Sequence, residues 1–102
     1  MIQLGMVTID TTDARILAAW WAERLGGEIQ TDMDGWFCVV QLPDTPVALG
    51  FQKLGEVTPG KNRLHLDLSR DHGVDREVMI KEWVDAGATH LGRRGAHAGR
   101  GR

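Results

Sequence analysis

The chain has 102 residues, 42% of them hydrophobic and 25% charged, which suits one globular domain with one modest core and excludes a disordered or fibrous class. Its formal charge of −2 is uneven: residues 93–102 hold four arginines and no acid, so residues 1–92 carry 8 basic and 14 acidic side chains. An acidic body without aromatic platforms beside the arginines excludes a nucleic-acid partner. No apolar run approaches the roughly 20 residues of a membrane span, and Met1-Ile2-Gln3-Leu4 does not open a secretory signal, so a cytoplasmic location is expected.

In chain order, residues 1–11 read as a strand whose apolar parity changes midway. Ile2, Leu4 and Met6 alternate, then Val7 and Ile9 take the other face, which implies either burial on both faces or a bulge. A helix follows. Asp13 suits its N-cap, because a short carboxylate accepts the unpaired N–H groups of the first turn. Ile16, Leu17, Trp20, Trp21 and Leu25 form one apolar stripe, and Gly26-Gly27 ends it. Three short strands come next, over 28–31, 36–42 and 47–54, with Asp34-Gly35 as a hairpin turn between the first two. Cys38 lies inside the most apolar of these and reads as a buried, inert thiol.

After a connection over 55–60 the pattern restarts. Residues 62–68 alternate, with Leu64, Leu66 and Leu68 on one face and Arg63, His65 and Asp67 on the other. A helix is predicted from about 74 to 86, ended by Gly87, and a further strand begins near 88–91. Strand, capped helix with a late tryptophan, glycine stop and strand thus occur twice, about 60 residues apart, as in a duplicated unit. Asp10 and Asp67 fall in matching places and read as residues that organise turns or cap the next segment of chain. His72, His90 and His97 fall in or near loops and read as solvated.

Three stretches carry a resemblance. Thr8-Ile9-Asp10-Thr11-Thr12-Asp13-Ala14-Arg15-Ile16-Leu17-Ala18-Ala19-Trp20-Trp21 resembles the strand-to-helix opening of the glyoxalase/bleomycin-resistance/dioxygenase (vicinal oxygen chelate) superfamily, in its glyoxalase-like subgroup. Pro59-Gly60-Lys61-Asn62-Arg63-Leu64-His65-Leu66-Asp67-Leu68 resembles the opening of that family's second module and is the more specific match. Gly87-Ala88-Thr89 resembles the step into its next strand, so the likeness spans residues 1 to about 91. It implies an α+β fold of paired βαβββ modules, a curved mixed sheet with helices on its outer face, and a single domain over 1–102. Module one is then 1–55 and module two 60–102, the latter lacking its last two strands. Three accounts of that lack stay open: the chain is part of a longer protein, a partner supplies the strands, or the variant is short.

Metal-dependent members of the superfamily hold Zn, Ni, Fe or Mn with four side chains, one from the first and one from the last strand of each module. Carried onto this sequence, the first position falls at or near Leu4, the second has only Gln52 nearby, His65 matches the third, and nothing matches the fourth. The resemblance therefore implies a metal-independent protein that holds a small organic molecule in the sheet cavity, lined by His65, Gln52 and Trp36, and a homodimer. The alternative it implies is a metal-dependent lyase, isomerase or dioxygenase, with His65 as a metal ligand and the remaining ligands outside this chain.

Overall fold

The computed structural model describes residues 1–92, so His97 and the arginine tail lie outside the described residues. The chain divides into two compact units, residues 1–62 and residues from Arg63 onward. In the first, the order is β1 (Met6–Thr11), α1 (Ala14–Leu25), β2 (Glu28–Asp32), β3 (Phe37–Gln41) and β4 (Ala48–Lys53). The four strands form one mixed sheet in the order β1-β4-β3-β2, with β1 parallel to β4 and the other pairs antiparallel. This is one complete βαβββ module of an α+β fold.

The parity change near the N-terminus has a simple resolution. The strand begins at Met6 rather than Met1, because β4 offers partners only from Ala48 on, and Ala48 N–H donates to the Gly5 carbonyl at 3.0 Å. Within β1, Val7 and Ile9 pack against the core, and no bulge is required. The core itself is Ala14, Ala18, Cys38, Val40, Leu49 and Phe51, with Leu17, Trp21, Ala22, Leu25 and Leu42 around it.

The buried face of α1 is rotated from the predicted stripe. Ala14 and Ala18 are fully buried, whereas Ile16 is 70% exposed and Trp20 lies at the margin. Two alanines one turn apart let the helix backbone approach the sheet closely, and that contact outweighs the larger side chains that could have faced inward. Trp20 instead meets Trp21 edge-on at 5.1 Å between ring centroids and carries the Arg24 guanidinium over its own ring. The helix ends behave as the sequence predicts. Asp13 Oδ1 accepts the Ile16 N–H at 3.1 Å, and Gly26 closes the helix in the left-handed conformation at φ 69°. Asp13→Ala is expected to lower the stability of this unit by about 1 kcal/mol, read as a lower urea midpoint at unchanged slope.

The β2–β3 hairpin turns at Asp34 and Gly35, both at positive φ (54° and 79°), as the primed turns of hairpins require. Asp32 anchors this turn to the helix. Its carboxylate accepts Arg15 Nε at 2.7 Å and the Gly35 N–H at 2.8 Å. These two hydrogen bonds, Arg15 first, hold the Asp32 carboxyl below its ordinary value. Cys38 is buried as predicted, and burial, with Asp32 beside it, raises its thiol above the ordinary value, which keeps it protonated and unreactive.

The second unit contains α2 (Arg76–Asp85), capped by Asp75, whose Oδ1 accepts the Val78 N–H at 3.0 Å. Lys81 and Asp85 pair one turn apart at 2.9 Å on its surface. The strands predicted over 62–68 and 88–91 are not formed among the described residues. Alternation supplies a strand with a face, but a strand also needs a ladder, and neither segment pairs with another among the described residues. Leu64 is accordingly 82% exposed, and no residue of α2 is buried.

Candidate functional site

The sheet of the first unit has one face under α1 and one face turned away from it. Side chains alternate along a strand, and cross-strand partners share a face. Cys38, Val40, Leu49 and Phe51 occupy the α1 side, so the register assigns Met6, Thr8 and Asp10 of β1, Ala48, Gly50 and Gln52 of β4, and Phe37, Val39 and Gln41 of β3 to the other. In β2, a register shift between Ile29 and Thr31 reverses the alternation. Thr31 thereby joins Val39 on the open face, while Asp32 pairs with Cys38 on the helix side, where Arg15 reaches it.

Gly50 is the floor of the open face. A Cβ built there would lie 2.6 Å from Met6 Sδ, 3.1 Å from Thr8 Oγ1 and 3.2 Å from Phe37 Cζ, so these three side chains lean in over the bare backbone. The result is an apolar patch of Met6, Phe37 and Val39, none of them fully buried. Beside it stand Thr8, Asp10 and Gln52. Asp10 and Gln52 are register partners on adjacent strands, both exposed, and no side-chain hydrogen bond ties either of them, or Thr8, to the described residues. Gln41 is different, since its amide donates to the Leu42 and Thr45 carbonyls and holds the loop before β4.

The three residues singled out from sequence fall in three different settings. Gln52 stands on the open face. Trp36 precedes β3 by one residue and aligns with Lys53, whose N–H donates to the Trp36 carbonyl at 2.8 Å. Alternation then puts Trp36 and Lys53 on the side of Cys38 and Phe51, where the ammonium lies 4.9 Å from the centre of the indole ring. Trp36 and Gln52 are therefore not brought onto one face. His65 is exposed, in the second unit, in a segment without secondary structure. Asp10, read from sequence as a turn-organising residue, caps no segment among the described residues, and the cap of α1 comes from Asp13. The signal for Asp10 was present in its parity: if Val7 and Ile9 point inward, Thr8 and Asp10 point out.

The metal centre implied by the resemblance does not fit these residues. Leu4 has no donor atom and lies before β1, level with the start of β4, whereas Gln52 is aligned with Asp10. The four residue steps from Met6 to Asp10 alone span about 13 Å, so the Leu4 and Gln52 positions do not stand side by side on the sheet. Among the described residues no three His, Cys, Asp or Glu side chains are grouped as a metal site would need, and no helix is long and apolar enough to cross a membrane.

No curated protein and no solved structure matches the chain. The family model described as Glyoxalase-like domain does match, over residues 6–100, from the first residue of β1 through α2 and beyond. With a complete βαβββ module in hand and a match over nearly its whole length, the chain belongs to the glyoxalase-like domain family of the vicinal oxygen chelate superfamily.

Proposed function

We propose that the chain binds a small organic molecule on the open face of its sheet and does so without a metal ion. The observation that supports this most is the composition of that face. An apolar patch of Met6, Phe37 and Val39 adjoins three polar side chains, Thr8, Asp10 and Gln52, whose hydrogen-bonding capacity no described residue uses. Sites for small molecules are built in this way, from apolar walls and a few polar groups that fix orientation. The spacing of Leu4 and Gln52 supports the metal-free part of the reading.

The test is a thermal-shift screen of small organic compounds, followed by mapping of the hits through backbone amide shifts. Hits should move the amides of 6–10, 37–41 and 48–52, and added EDTA should leave both the hits and their affinities unchanged. Hits that map to the α1 side would overturn the site. A stoichiometric divalent ion whose removal abolishes binding would overturn the metal-free reading.

A further inference from the structure

We infer that the ligand of this face is a flat aromatic cation, with an amidinium, guanidinium or protonated amine at one end; this rests on the reading of the open face as a small-molecule site. The charge on the face has one sign. Its strand residues include the carboxylates of Asp10 and, opposite Gln41, Glu28, and they include no lysine or arginine. Lys53, the one basic residue within the four strands, points to the other side, over Trp36. Residues 1–62 as a whole carry four basic and eight acidic side chains, so the surrounding field has the same sign.

The polar end is built for donors. An ionised Asp10 only accepts hydrogen bonds, and Gln52 beside it can turn its carbonyl oxygen to the same group. An amidinium or guanidinium presents two parallel N–H groups that a carboxylate takes together. A carboxylate or phosphate on the ligand would instead be set against Asp10 with no cation among the strand residues of the face to offset it.

The apolar end is set by Gly50. Because Gly50 has no side chain, Met6 and Phe37 converge over the sheet there, and a flat ring can lie against the Phe37 ring and the Met6 sulfur. Gly50 pairs with Thr8, and Gln52 with Asp10, two residues further along both strands. Asp10 therefore lies about 7 Å along the sheet from the centre of the apolar contact. One aromatic ring carrying an amidinium, together with the amidinium's hydrogen bond to the carboxylate, spans that distance.

Three isosteric probes test this: p-aminobenzamidine, p-aminobenzamide and p-aminobenzoate, titrated at low ionic strength with the amide shifts of 6–10 and 48–52 as the readout. The amidine should bind about tenfold or more tighter than the amide, the benzoate should bind weakest, and the preference should fall with added salt. Asp10→Asn should remove the amidine's advantage over the amide, while Asp10→Glu keeps the advantage. Asp10 is exposed, so an unchanged melting temperature separates a lost contact from a lost fold. Equal binding of the three probes, preference for the benzoate, no binding at all, or an advantage that survives Asp10→Asn each overturns the cation inference. Neutral or anionic hits that map to this face in the broader screen would overturn it too, with the site itself left standing. Hits that map elsewhere would remove the site as well.

Discussion

Phe51→Ala is expected to destabilise the first unit by about 3–5 kcal/mol, the range for truncating a fully buried aromatic ring. Phe51 is completely buried at the centre of β4, facing α1, and it is the largest of the fully buried side chains. Its neighbours in the core include Ala14, Ala18 and Val40, small side chains on a helix and a strand already close together. They have little reach with which to fill the space a lost ring leaves, so most of the cavity should persist. Domains of this size have a total stability of about 5–15 kcal/mol, which makes partial unfolding at 37 °C the expected phenotype. Urea titration followed by tryptophan fluorescence measures it, with Met33→Ala as a control. Met33 is 60% exposed, and its truncation should cost less than about 0.5 kcal/mol. A Phe51→Ala protein within about 1 kcal/mol of the parent would mean that the core is organised around other residues.

Gly27→Ala is the second large effect, at about 1–3 kcal/mol, because it forces an atom into a filled space. A Cβ at this position would lie 2.7 Å from the Gln41 carbonyl oxygen and 2.8 Å from Val40 Cγ1. The first of these is backbone within β3 and cannot swing aside. The start of β2 would have to move away from β3, and the Glu28–Gln41 and Ile29–Val40 pairs are the ones exposed to that shift. Gly26, one residue earlier, has open space around it and is required for its positive φ alone. The two glycines that end α1 thus answer two separate demands, one of conformation and one of room. Amide exchange across β2 and β3 would separate them. Gly27→Ala should speed exchange at Ile29 and Val40, and unchanged exchange there would show that the strands accommodate the methyl group.

The features legible in the sequence are those written locally. Asp13 as cap, Gly26 as stop, Asp34-Gly35 as turn and Cys38 as a buried thiol each depend on a few adjacent residues, and each is found in the structure. Where the outcome depends on distant partners, the sequence says less. The start of β1 is set by where β4 begins, some forty residues on, and residues 62–68 alternate as a strand does without having a ladder to join. The facing of α1 escapes the sequence because two overlapping stripes are both apolar, and only the sheet decides which of them is covered. The open face is half legible. Gln52 is found by its place in the family pattern, while Asp10 and Thr8 are hidden by an unresolved parity in the first strand. Trp36 goes to the other side because the hairpin turn, which the sequence does show, fixes the phase of everything after it.

The parallel pairing of β1 with β4 has a consequence for how this unit comes into being. The hairpin of β2 and β3 closes over a turn of a few residues, whereas β1 waits for a partner that is made only after a helix and two strands. Bringing the ends of a loop of about forty residues together costs roughly 3 kcal/mol of chain entropy beyond a constant term. The burial of Val7 and Ile9 offsets that cost, together with the packing of Ala14 and Ala18 of α1 on β3 and β4, which closes nearly the same loop. The strand carrying Thr8 and Asp10 is thus the first of the four to be synthesised, and the open face cannot close until the last of them, β4, has been made.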